Sequence, residues 1–204
     1  MKQILTFFGL AYLISWIIWL PLYGHIFGLN NLPILPYNHG TGALGPLIAS
    51  LLTTWIYQRK EGINVLINKC VQLRPFLYFS IALLSPFLLA LIATILNLFI
   101  NKSPINLSGL MRYNEFPQFN LLTFFIYNLL FFGFGEEVGW RGFALPRFQR
   151  KFNALTSSFI LTVFWAFWHL PLFFYRSGYT SMSLAETLGW MFSLLTGSIL
   201  LTWL

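Results

Sequence analysis

Apolar residues run along this chain in blocks of about twenty, too long for the alternating pattern of a strand or the one-sided stripe of a soluble helix. Six blocks stand out, at 4–23, 41–57, 76–100, 121–146, 154–175 and 185–204. An α-helix rises 1.5 Å per residue, so ~20 apolar residues cross the ~30 Å hydrocarbon core of a bilayer. The pattern predicts an all-α, polytopic transmembrane helix bundle of about six spans, forming one membrane domain over 1–204. The first block follows Met1-Lys2 and reaches Pro21 without a small-x-small cleavage site, which makes it an anchor and not a leader. The last block is apolar to its final residue with no basic flank, so further C-terminal helices are expected beyond it.

Composition agrees with the pattern. Hydrophobic residues are 57% and charged residues 8%, whereas a soluble domain carries roughly a quarter charged. The net charge of +7 invites a nucleic-acid reading, but the positions of the charges argue for topology. With the N-terminus in the cytoplasm, the inner segments hold eight basic residues, Lys2, Arg59, Lys60, Lys69, Arg74, Arg147, Arg150 and Lys151, against Lys102, Arg112 and Arg176 outside. That bias follows the positive-inside rule. It predicts an integral, multi-pass membrane protein, with the lipid bilayer as partner and no nucleic acid; a bacterial cell membrane is the expected setting. Cys70 stands alone and can form no internal disulfide. The inner loop at 58–75, apolar residues among basic ones, reads as an interfacial helix, and the Asn-, Ser- and Pro-containing outer segment at 101–120 as irregular.

Against this background two adjacent acids mark the chemistry. Glu136 and Glu137 lie inside the fourth block, with Arg141 one turn further on. Carboxylates are costly at membrane depth and are expected to be paired and functional. At about 100° per residue, Glu137 and Arg141 fall within ~40° of each other, the spacing of a helical ion pair. Glu136 lies ~140° away from the arginine, which leaves it for proton handling as a general base.

The next block holds His169. In an antiparallel hairpin, residues equidistant from the turn meet at one level, and positions 136 and 169 centre on Lys151-Phe152-Asn153, where the polar residues put the turn. Glu136 and His169 therefore face each other. Gly133, Gly135, Gly139 and Gly142 are expected to let these two helices approach, as small residues do in membranes. His25 and His39 read as ordinary loop residues.

Glu136-Glu137-Val138-Gly139-Trp140-Arg141-Gly142 resembles the E-E-x-x-x-R-G signature of the CPBP intramembrane proteases, which include CAAX-prenyl endopeptidases and bacteriocin self-immunity proteins. Trp165-Ala166-Phe167-Trp168-His169 resembles that family's second motif, F-x-x-x-H, with Trp for Phe. The resemblance implies a protease-like core at about 121–204 and an intramembrane metalloendopeptidase that hydrolyses a membrane-associated or lipidated peptide or protein. Glu136 would activate water with help from His169, and Glu137 and Arg141 would support them. The family's third motif, a His followed by an Asn in a later helix, has no counterpart after residue 169. Glu136 and His169 are the candidate ligands of a divalent metal such as zinc, and a metal-free mechanism is equally open. The rival readings are a non-catalytic immunity or regulatory protein that binds a peptide, and a proton-coupled transporter, for which buried Glu and His also serve but no repeated pair of broken helices speaks.

Overall fold

A computed structural model describes residues 2–72, 75–102 and 116–204, and every regular element among them is helical. The long helices are α1 (Lys2–Tyr23), α3 (Gly45–Cys70), α4 (Phe76–Asn101), α5 (Leu121–Phe148), α6 (Ala154–Trp168) and α8 (Leu184–Trp203); α2 (Asn38–Ala43) and α7 (Leu172–Tyr175) are short. The irregular segment expected at 101–120 lies largely outside the described residues.

Among the described residues, five continuous helical stretches are by themselves long and apolar enough to cross a membrane: Lys2–Phe27, Phe76–Ile100, Leu121–Phe148, Ala154–Tyr175 and Leu184–Trp203. The chain is an all-α polytopic membrane protein. The sixth expected block, 41–57, is divided between two helices, because residues 41–43 end α2 and Gly45-Pro46 opens α3. Proline suits that position, since its missing N–H would be unpaired in a first turn anyway. Arg59 then interrupts α3 with φ 54° and ψ −152°. From Gly45 to that break the helix rises only about 21 Å, and α2 adds the rest of the depth: Gln58 Nε2 donates to Gln3 Oε1 at the start of α1, and the His39 carbonyl accepts from Trp19 Nε1 near its end. Beyond the break, helix continues through the interfacial segment expected after residue 58.

The described residues group into two compact units, Met1–Val71 with Ile126–Trp203, and Gln72–Phe125. The second contains α4, whose Phe76, Leu84, Phe87 and Phe99 are exposed, as suits lipid contact. In the first, α1 packs along α3, α3 against α5, and α8 against α6. Its core is aromatic: Phe7, Trp19, Trp140, Phe143 and Trp168 are all but fully buried, and Phe8 stacks on Phe164 at 4.1 Å. Polar contacts fasten α1 to the end of α6. Tyr12 Oη donates to the Phe164 carbonyl (2.6 Å), Trp16 Nε1 to the Trp168 carbonyl (3.0 Å) and Trp168 Nε1 to Ser15 Oγ (2.8 Å). Inside hydrocarbon these donors have no water as an alternative partner.

Local capping sets the ends of the last two spans. The Asn153 side chain accepts from Thr156 N at 2.8 Å and starts α6, so the turn falls where the basic residues put it. Ser183 and Glu186 form a capping box at the start of α8, with Glu186 Oε2 accepting from Ser183 N at 2.7 Å.

Candidate active site

Glu136 and Glu137 occupy a three-residue α-helical step, Gly135–Glu137, between π-helical stretches at Leu129–Phe134 and Val138–Ala144. Widened turns of this kind recur at functional sites. The sequence supplies a cause: Pro146 offers no N–H to the helix behind it, and Gly139 and Gly142 do little to hold an α-helical pitch. Glu136 is 6% exposed and lines a cavity of about 310 Å³ whose wall also includes Trp19, His39, Phe132, Trp168 and His169, with Arg176 and Tyr179 from the turn after α7. The acid and the imidazole expected at one level line the same cavity.

One residue ties the four expected residues together. Trp165 Nε1 donates to Glu136 Oε2 at 2.9 Å, its ring carries the Arg141 guanidinium 4.4 Å from the centroid, and its carbonyl lies 2.7 Å from His169 Nδ1. Arg141 in turn donates to Glu137 Oε1 at 3.0 Å, the two side chains being 11% and 34% exposed. The i, i+4 pair therefore forms despite the widened helix. It stands outside the cavity wall and reaches Glu136 through the tryptophan. The sequence marked Trp165 only as the residue standing where the motif has Phe; its indole N–H, which Phe lacks, was the signal.

This two-motif constellation has relatives. Residues 118–204 match the model of the family described as type II CAAX prenyl endopeptidase Rce1-like. This region is similar to that family, as its two motifs suggested. Over 73 residues the chain is 33% identical to the CAAX prenyl protease 2 of Methanococcus maripaludis, a match that covers 34% of this chain and 27% of that protein's length. No solved structure is a significant match.

Residues outside the matched region complete the cavity. His39, read from sequence as a loop residue, is buried on α2 and is 9% exposed. Its ring stacks on Trp19 (5.7 Å, 18°) and its Nδ1 lies 2.9 Å from the Tyr175 hydroxyl. Burial first, and then the nearby Arg176 charge, holds its pKa far below the ordinary histidine range, at about 3, so the ring is neutral at neutral pH. Nothing local in the sequence flagged it, because a lone histidine in a short helix has no partner at helical spacing.

The glycines of α5 act differently from the expectation. A Cβ on Gly135 would lie 3.0 Å from the Ala43 carbonyl oxygen, and one on Gly139 would lie 2.6 Å from the Pro46 carbonyl oxygen. The close approach they permit is thus to α2 and α3, not to the His169 helix. Gly133 and Gly142 face ordinary space, with nearest neighbours at 3.5 and 3.4 Å. Helix α6 carries no glycine on its side of the hairpin and meets α5 through Trp165 and Trp168 instead.

Glu136 and His169 by themselves do not make a zinc site. A catalytic zinc takes three protein ligands and water, and among the described residues no three His, Cys, Asp or Glu side chains converge.

Proposed function

We propose that this chain is an intramembrane endopeptidase in which Glu136 activates a water molecule against a peptide bond. The observation that carries the reading is the buried Glu136 carboxylate sharing one cavity wall with His169, both held by Trp165. Oε2 is bonded to the Trp165 indole, and the carboxylate as a whole can take a proton from water. His169 Nδ1 faces a carbonyl, which only accepts, so Nδ1 carries the ring proton and the neutral ring presents Nε2 as an acceptor. Two acceptors can draw protons from one water. The Glu137–Arg141 pair balances charge beside them, and Arg141 over Trp165 holds the indole in place. The name of the matched relative supports a prenylated CAAX peptide as the substrate class. The basic bias supports a cytoplasmic N-terminus and a cytoplasmic turn at 149–153.

The test is cleavage of a prenylated CAAX peptide and of a membrane-peptide library by the full protein in detergent. Glu136→Gln keeps the shape but removes the base, so turnover falls ~10²–10⁴-fold with helicity and melting unchanged. Cleavage by the variant at the wild-type rate would remove Glu136 from this role. If neither protein cleaves while both bind peptide or confer bacteriocin immunity, the binding-protein reading replaces the protease.

A further inference from the structure

A second cavity, of about 70 Å³, lies between α3 and the C-terminal end of α5 and shares no lining residue with the one that holds Glu136. The break at Arg59 shapes it. Cβ atoms four residues apart on an intact helix stand ~5–6 Å from each other, but one added to Gly62 would collide with Gln58 Cβ and lie 2.8 Å from Thr54 Cγ2. Glycine is required there, and Thr54, Gln58 and Lys69 line the hollow on either side of it.

Across the hollow stand Arg147 and, in the turn after α5, Arg150, so three cations share a small space in which no lining residue is an acid. None of the three forms an ion pair among the described residues. Like charges gathered this way repel one another, the more so beside low-dielectric hydrocarbon, and a bound anion relieves the repulsion. Arg147 is set in place for one. Its Nε donates to Gln3 Oε1 at 3.2 Å, its Nη1 to the Phe143 carbonyl at 2.8 Å, and its guanidinium lies 3.4 Å from the Phe143 ring centroid. Two of its five N–H donors are spent and three remain. The buried hydroxyl of Thr54, on the same lining, has no partner. The rim is apolar: Val65 lines the cavity yet is 57% exposed, and Trp55 and Ile67 stand exposed on the same helix. A free anion would use the cations alone, whereas a phospholipid uses both cations and rim. We propose that this cavity binds the phosphate headgroup of an anionic phospholipid from the bilayer, with Arg147 as its fork and Lys69 and Arg150 beside it. The lipid then pins the interfacial half of α3 to the end of α5.

Native mass spectrometry of the full protein in a neutral detergent counts bound lipids, and melting is followed alongside; the probes are dioleoyl phosphatidylglycerol, dioleoyl phosphatidylcholine and inorganic phosphate. The wild type is expected to hold phosphatidylglycerol about tenfold more tightly than phosphatidylcholine, whose choline adds a fourth cation, and to melt higher with it. Millimolar phosphate should neither displace it nor raise melting. Lys69→Gln and Arg150→Gln change exposed residues and leave the fold intact; each weakens phosphatidylglycerol about fivefold, the weight of one basic residue at a lipid surface. Lys60→Gln and Lys151→Gln remove the same charge from exposed positions outside the cavity and should change binding little. Equal losses in the two pairs would reduce the effect to general surface charge and overturn the proposal. So would a wild type that does not distinguish the two lipids, or phosphate that displaces phosphatidylglycerol and stabilises as well as it does, which would mark a site for a free anion.

Discussion

Gly139→Ala and Gly133→Ala add the same methyl group to the same helix, and the structure predicts opposite signs. At Gly133 the nearest neighbour of a new Cβ is Leu129 Cδ1 at 3.5 Å, an ordinary contact, so the variant keeps only the helix-propensity gain of about 0.5–1 kcal/mol. At Gly139 the new atom would sit 2.6 Å from both Cβ and the carbonyl oxygen of Pro46. Proline in the first turn of α3 cannot swing aside as a flexible side chain would, so helix must move against helix. Overpacking of this kind costs ~1–3 kcal/mol; offset by the same propensity gain, it leaves Gly139→Ala roughly 0–2.5 kcal/mol less stable than wild type. The two variants should then differ by about 1–3 kcal/mol. Thermal or steric-trap unfolding in one detergent measures the difference directly. Displacing α3 also carries α2 and His39 away from the wall that holds Glu136, so peptide binding should weaken in Gly139→Ala alone. Equal stability of the two variants would refute the reasoning, because the close approach at Pro46 would then not be what requires glycine.

Three further outcomes follow from the site. Glu137→Ala or Arg141→Ala alone leaves an unpaired charge beside Trp165 and should lower stability by less than the ~3–5 kcal/mol of a fully buried pair, since Glu137 is partly exposed; the double variant should lose less than the sum, and additive losses in the cycle would speak against pairing. Trp165→Phe keeps a ring under Arg141 but removes the donor to Glu136 Oε2, and a bond to a charged group is worth ~1.5–3 kcal/mol, so turnover should fall by roughly ten- to a hundredfold; an unchanged rate would free Glu136 from that contact. His39 is held at about 3 when folded against ~6.5 unfolded, so the unfolded chain binds the extra proton: the stability its neutral form contributes is complete above pH ~6.5 and is lost as pH falls toward 3. The gap in melting temperature between wild type and His39→Gln should shift in favour of the variant on acidification, and parallel curves would count against a buried neutral ring.

What could be read along the chain was what chain geometry fixes over short distances. Span length follows from 1.5 Å per residue, the Glu137–Arg141 pair from i, i+4 spacing, and the level match of Glu136 with His169 from a hairpin whose turn Asn153 and its basic neighbours announce. Each depends only on sequence separation within one helix or across one turn. Only the tertiary structure decided the rest. Residues 41–57 looked like one helix because hydropathy averages over Leu44 and Gly45-Pro46, where one helix ends and the next begins. The α5 glycines were legible as small residues, but their spacing does not say which neighbour comes close; packing against Ala43 and Pro46 gave them α2 and α3. That packing is what brings His39, 97 residues from Glu136 in sequence, to the cavity. No period along the chain encodes such a meeting, because it depends on which faces of three helices bury one another and on Trp19 and Trp168 filling the space between them.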